Sequence, residues 1–286
     1  MPPTIATALH TTLSRLTHAG SAADDARLDA EALLAHVLGQ ARSHLRAWPE
    51  RTLTAAQAAH YEDLVTRRAA GEPVAYLCGR REFWSLELEV TPATLIPRPE
   101  TELLVELALA RIPVAAALAV ADLGTGTGAI ALAIARERPR CRVTATDRAS
   151  AALDVARRNA ARLGITAVDF RHGAWYAPLP DPAAGRYDLI LSNPPYVRAG
   201  DPHLAQGDLR FEPPDALTAG ADGLDALRVL VAGAPAYLHS GGWLLVEHGY
   251  DQAEAVTALF RTAGFTDIET FHDLGGQPRV TLGRRP

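Results

Sequence analysis

A chain of 286 residues and 30.5 kDa is long enough to bury a sizeable core without disulfides or structural metals, which excludes the stapled mini-protein classes. Hydrophobic residues at 48%, charged residues at 21% and a mean hydropathy of -0.01 are those of an ordinary soluble globular chain, neither membrane-dominated nor disordered. A formal charge of -5 and a pI near 6.1 lack the basic excess of a protein that wraps phosphate backbones, so no direct nucleic-acid partner is expected.

All 28 basic residues are Arg, so chemistry that needs a lysine amine, from Schiff bases to the G-x-x-x-x-G-K-[ST] phosphate loop, is ruled out. Cys78 and Cys141 stand far apart with no C-x-x-C partner, which suggests neither a zinc site nor a disulfide framework and points to a reducing compartment. The start, Met1-Pro2-Pro3-Thr4, carries no leader pattern, and the apolar run from Val114 to Leu123 is too short to span a bilayer. A cytoplasmic protein with no membrane partner and no metal is expected, as a monomer.

From Thr4 to about Gly71 the pattern is helical, with Leu9, Leu13 and Leu16 on one face and Leu28, Leu33, Leu34, Val37 and Leu38 on another. Gly20 and Gly39 fall at helix ends, while Asp24 or Asp25 and Thr54 can cap the next helices. Glu31 and the pair Arg67-Arg68 read as solvated helix surface. Between Val74 and Ile96 the period changes to alternation, with Gly79 as a turn, so a hairpin is expected there. Beyond Pro99, strands (Leu118 to Leu123, Val143 to Thr146, Ala167 to Arg171, Tyr187 to Ser192) alternate with helices (Ala129 to Arg138, Ala149 to Leu163). A helix near Leu224 to Leu238, a strand Trp243 to Glu247, a helix Asp251 to Ala263 and two closing strands complete the pattern. The fold class is α/β: a doubly wound, mostly parallel sheet with an antiparallel edge pair, preceded by a small all-helical domain. The expected boundaries are 1–73 for the helical bundle, 74–97 for the linking hairpin and 98–286 for the sheet domain.

Two constellations carry chemistry. In Val120-Ala121-Asp122-Leu123-Gly124-Thr125-Gly126-Thr127-Gly128-Ala129-Ile130 an apolar strand runs into a glycine loop and then a helix, which brings bare backbone and a helix N-terminus to an anionic group. The spacing is G-x-G-x-G rather than the dinucleotide G-x-G-x-x-G, so a carboxylate is the natural guest, and Asp147 at the end of the next strand is placed to grip ribose hydroxyls. Together they describe an adenosyl cofactor with a carboxylate tail. The second is Ser192-Asn193-Pro194-Pro195-Tyr196 after the strand Tyr187 to Leu191, where proline ends the strand and fixes Asn193 above the sheet edge. A planar NH2 group is a poor nucleophile because its lone pair is conjugated. Asn193 Oδ1 and the Pro194 carbonyl are two acceptors that can bind its two hydrogens and favour the attacking form, with Tyr196 stacking on the plane.

With these motifs in place the chain resembles the PrmC/HemK family of peptide-chain release factor glutamine methyltransferases. The likeness runs through Phe83-Trp84-Ser85-Leu86, Ile96-Pro97-Arg98-Pro99-Glu100-Thr101-Glu102, the glycine loop, Asn193 to Tyr196, Gln206 to Pro213 and Arg279 to Gly283. The helical part matches more loosely. The Arg-Pro-Glu-Thr-Glu segment and the helical bundle favour this family over the adenine-amino DNA or RNA methyltransferases, which share Asn-Pro-Pro-Tyr and form the alternative. The resemblance implies a methyl group from S-adenosylmethionine and, as acceptor, the glutamine amide of the Gly-Gly-Gln motif of class I release factors, with the bundle docking the release factor. By position it also implies that Gly124, Thr125, Gly126, Thr127 and Gly128 contact the methionine end, Asp147 the ribose and Trp175 the adenine. Asn193, Pro194, Pro195 and Tyr196 fall to the acceptor glutamine, with Asn193 also reaching the cofactor. Ala174 departs from the acidic residue of many relatives. Arg98, Glu100 and Glu102 are expected at the cofactor mouth without a catalytic role. His203 to Glu212 should loop over the site, and His248 reads as a surface histidine at a strand end. Gly275-Gly276-Gln277 matches the substrate tripeptide but sits where a hairpin turn is expected.

Overall fold

The computed structural model describes residues 2–286, which pack as two compact units, one running up to Arg80 and including Ala205–Phe211, the other comprising Arg81–Leu204 with Glu212–Pro286. The first unit is helical. Its helices are α1 (Ile5–His18), α2 (Ala23–Leu38), α3 (Arg42–Ala47), α4 (Ala55–Ala69) and α5 (Val74–Cys78). Thr4 caps α1, and Thr54 with Gln57 forms a reciprocal capping box at α4. Asp24 and Asp25 stand in the first turn of α2 rather than at its cap, where they complement the helix dipole; Gly39 ends that helix in the left-handed region at φ 60.

The core of this unit gathers Ile5, Leu33, Leu34, Leu45, Leu64 and Leu77. Leu28, expected among them, is 49% exposed because it lies about 140° around the helix from Leu33. Glu31 is the converse. It follows Ala30 on the buried stripe and is enclosed, its carboxylate paired with Arg27 Nε at 3.3 Å and Arg46 Nη2 at 3.2 Å. Nor is Arg68 a solvated charge: Nε donates to Asp29 at 2.7 Å and Nη1 to Asp208 at 2.9 Å, while Arg67, more exposed, pairs with Glu72. Val74–Cys78 is a helical turn rather than a strand, entered through Pro73 and ended by Gly79 at φ 68, which buries Tyr76 and Leu77 on one side.

A hairpin of β1 (Arg80–Phe83) and β2 (Leu86–Glu89) follows, and its turn is Trp84-Ser85 rather than Gly79. Both turn residues have positive φ, 51 and 56, the two-residue geometry that matches strand twist but is costly for side chains other than glycine. Two carboxylates hold it there: Glu102 accepts the Trp84 backbone N–H at 2.8 Å and Glu137 its indole N–H at 3.2 Å.

The rest of the second unit comprises α6 (Glu102–Leu109), β3 (Ala119–Leu123), α7 (Ala129–Glu137), β4 (Arg142–Asp147), α8 (Ser150–Leu163), β5 (Val168–His172), β6 (Tyr187–Ser192), α9 (Asp225–Tyr237), β7 (Leu238–Glu247), α10 (Ala253–Thr262), β8 (Thr266–His272) and β9 (Pro278–Arg284). The seven sheet strands run β5-β4-β3-β6-β7-β9-β8, parallel from β5 to β7 and antiparallel at β9 and β8. One apolar layer joins α6, α7 and α8 to the sheet, and a second joins α9 and α10 to its other face. β3 is buried along its whole length, as a central parallel strand covered on both faces must be. The order reverses on either side of β3, which opens a crevice at the carboxyl ends of β3, β4 and β6.

Candidate functional site

Strand register brings the two constellations together. Leu123 pairs with Thr146 and Asp122 with Leu191, so Gly124 and Asp147, just beyond the first pair, emerge beside Asn193, two residues past Leu191, at one sheet edge. A cleft lies there, walled by Gly124, Thr125, Gly126, Thr127, Asp147, Trp175, Asn193 and Pro195 among the expected residues, and by Phe83, Arg98 and Thr101. Gly128, Pro194 and Tyr196 are not among its lining residues. Gly128, at φ 85, caps α7 where a Cβ would come within 3.1 Å of Leu132 Cδ1 and 3.2 Å of Ala156 Cβ.

The glycine loop is tied down from beneath. Gly124 and Thr125 donate their N–H groups to Thr146 O at 2.8 and 2.9 Å, and Gly126 donates to Asp147 Oδ2 at 2.9 Å. Asp122, fully buried, takes the Thr125 hydroxyl at 2.6 Å and the Ala131 N–H at 3.2 Å on one oxygen. Burial pushes its carboxyl up to about 7, and its other oxygen has no partner among the described residues. Gly124, at φ 80, lies under the Trp175 ring: a Cβ there would come within 3.3 Å of Trp175 Cζ3. Trp175 itself has φ 50, a position most side chains avoid, with its carbonyl held by the Thr146 hydroxyl at 3.1 Å.

On the acceptor side, Asn193 Nδ2 donates to Thr101 Oγ1 at 2.9 Å, Thr101 Oγ1 donates to Glu247 Oε2 at 2.7 Å, and the Tyr196 hydroxyl donates to Glu247 Oε1 at 3.1 Å. The Tyr196 ring packs on the core between sheet and α9. Burial of both groups raises the Tyr196 phenol and pushes the Glu247 carboxyl up to about 7. The Tyr196 carbonyl is clamped by Gln252 Nε2 at 2.9 Å. Arg98 pairs with the buried Glu212, which also takes the Ile96 N–H at 3.0 Å, and Glu102 serves the hairpin. Within His203 to Glu212, therefore, Asp208 and Glu212 are both engaged with arginines of the same chain. His248 is enclosed, not superficial: Thr281 Oγ1 and Gly249 O flank its nitrogens at 2.8 Å, and burial lowers its pKa. Sequence reasoning singles out none of Thr101, Glu247 and Gln252 as a site residue. Only the first had a signal, its place inside Arg-Pro-Glu-Thr-Glu.

The residues at hand fit an adenosyl group with an amino-acid tail. Gly124 is bare where any side chain would meet Trp175, and Asp147, with N–H bonds from Gly126 and Ala149 at 2.9 Å, keeps lone pairs for two hydroxyls, since a carboxylate offers about four acceptor sites. A sheet of this order with such a cleft at its switch point places the protein among the class I S-adenosylmethionine-dependent methyltransferases. Solved structures share that fold at TM-score 0.54: a methyltransferase from Pyrococcus furiosus, 17% identical over 79% of this chain and 98% of that one, and a Thermus thermophilus 16S rRNA methyltransferase in complex with AdoMet and guanosine, 19% identical over 72% and 50%. The model of the PrmC N-terminal domain matches residues 7–79, and that of the methyltransferase small domain matches residues 100–208. The sequence is similar to the release factor glutamine methyltransferases of Xylella fastidiosa strain 9a5c, 57% identical over 91% of this chain and 94% of that protein, and of Vibrio cholerae, 49% identical over 99% and 98%. The chain belongs to the release factor glutamine methyltransferase family.

Proposed function

We propose that the protein methylates the side-chain amide nitrogen of the glutamine in the Gly-Gly-Gln motif of class I peptide chain release factors, as a cytoplasmic monomer acting on protein and not on nucleic acid. The observation that carries this reading is Asn193, whose amide N–H groups are turned to Thr101 and whose Oδ1 is thereby left for a ligand at a cleft shared with the glycine loop. S-adenosylmethionine supplies a methyl group on sulfonium, already activated for displacement. Gly124 to Thr127, Asp147 and Trp175 bind and orient the donor, while Asn193 Oδ1 and the Pro194 carbonyl accept the two hydrogens of the incoming amide. Holding both partners in line carries the acceleration, since effective molarity alone can lower a barrier by about 7 to 11 kcal/mol in the best cases. No strong base is required, because the amide nitrogen becomes acidic as it is methylated.

Mass spectrometry of a release factor after incubation with protein and S-adenosylmethionine tests this. A gain of one CH2 on the Gly-Gly-Gln glutamine is expected. Methylation of adenine in DNA or RNA, with none on the release factor, would contradict the substrate.

A further inference from the structure

Hydrogen-bond direction around Glu247 sets which end of the Asn193 amide faces the cleft. Glu247 closes β7, is 1% exposed, and receives a hydroxyl on each carboxylate oxygen. An ionised carboxylate can only accept, so both hydroxyls must donate to it. Thr101 has a single hydroxyl proton and spends it on Glu247; toward Asn193 it has only lone pairs to offer. Asn193 must then present Nδ2 to Thr101, at 2.9 Å, and Oδ1 stays on the other side. With Oδ1 and Nδ2 exchanged, the cleft would show an NH2 group to the hydrogens of an incoming amide, which repels them.

We propose that Thr101 and Glu247 are positioning residues for methyl transfer, a two-step relay in which the Glu247 carboxylate fixes the donor direction of Thr101 and Thr101 in turn fixes the acceptor orientation of Asn193. The inference rests on the acceptor-amide reading above and deepens it. The charged and titratable groups facing Glu247 are Arg279 of β9, which favours its ionised form, Glu100 beside Thr101, which disfavours it, and Tyr196 after β6. Arg279 is also held by Asp273 at 3.2 Å, and His248, next along the chain, has its pKa lowered by burial. Desolvation outweighs Arg279 and the two hydroxyls, so Glu247 takes up a proton near neutral pH, and a proton on Oε2 makes that oxygen a donor to Thr101 and reverses the relay.

Steady-state transfer to a release factor, cofactor affinity by calorimetry and the pH profile of kcat test the relay in the full chain. Thr101→Val removes the acceptor and should lower kcat by about 10- to 100-fold, the effect of misplacing one group at a reacting centre, with cofactor affinity unchanged. Thr101→Ser keeps the hydroxyl and should restore most of the rate. The wild-type kcat should fall as pH drops through about 7, and Glu247→Gln, which cannot titrate, should lack that acid limb. Wild-type kcat in Thr101→Val, or an acid limb in Glu247→Gln as deep as that of the wild type, overturns the proposal; the second measurement decides if Thr101→Val does not fold. Each variant is scored against wild type on whatever acceptor the wild type uses. A different acceptor would therefore refute the glutamine reading without touching this comparison.

Discussion

Asn193 and Asp147 divide the work of the cleft between acceptor and donor, and each has a substitution that separates binding from chemistry. Asn193→Ala deletes one of the two proposed acceptors for the target amide but leaves the glycine loop and its ties to Thr146 and Asp147 in place. Turnover should fall by about 10² to 10³ while calorimetry returns at most a small loss of cofactor affinity, and full activity would remove Asn193 from the mechanism. Asp147→Ala should do the opposite. Ribose hydrogen bonds are made equally in ground and transition states, so cofactor affinity should weaken by roughly 10- to 100-fold, as expected for charge-assisted bonds of about 1.5–3 kcal/mol, with kcat at saturating cofactor little changed. Unchanged affinity in a folded variant would reassign Asp147 to bracing the loop through Gly126 and Ala149.

The acceptor motif is one element among several that meet at Gly223. This residue sits at φ 76 with its Cα against the loop, and a Cβ there would lie 2.3 Å from Tyr196 O and 2.8 Å from Gln252 Nε2, the group that clamps that carbonyl. Gly223→Ala must therefore push the loop carrying Asn193, at a cost of about 1–3 kcal/mol for the strained backbone alone. Thermal stability and kcat should both fall, with cofactor affinity preserved on the far wall; unaltered kinetics would mean the loop adapts. Such couplings mark the limit of what the sequence displays. The glycine loop, Asp147 and Asn-Pro-Pro-Tyr are legible because local backbone chemistry dictates them, and the sheet strands because buried apolar runs alternate with helical periods. The partners that orient Asn193 are not. Thr101 is 92 residues from it, Glu247 a further 146 from Thr101, and only the β6-β7 pairing with the start of α6 packed against it makes them neighbours. The Trp84-Ser85 turn was equally hidden, since its positive φ values are enforced by Glu102 and Glu137 rather than by glycine.

At the scale of the whole molecule, buried charge governs both how stability responds to pH and how a distant segment is held. Asp122 and Glu247 have folded pKa values raised to about 7, above those of the unfolded chain, so between about pH 4 and 7 the folded state keeps protons that the unfolded state has lost. Stability falls with rising pH through that window, by about 1.4 kcal/mol per pH unit for each retained proton, and His248, whose pKa is lowered, offsets part of the fall below its unfolded value of 6.5. Denaturant unfolding should show the decline, and Asp122→Asn should shrink it; a flat profile in the wild type would mean both carboxylates are ionised when folded. The segment Ala205–Phe211, soon after the acceptor motif in the chain, packs within the helical unit, anchored by Asp208 on Arg68 at 2.9 Å and by Arg210 on Ala70 O at 2.7 Å. Arg68 bonds Asp29 as well, and burial already raises the Asp29 carboxyl against the pull of that guanidinium. Arg68→Met keeps the aliphatic stem but leaves the enclosed Asp29 without its partner and Asp208 without its anchor, which should cost the helical unit about 1–2 kcal/mol and release the segment. If the helical unit docks the release factor, KM for the whole factor should rise while cofactor affinity stays at the wild-type value. An unchanged KM in a folded Arg68→Met protein, with the segment shown to be freed by limited proteolysis, would take substrate docking away from this arrangement.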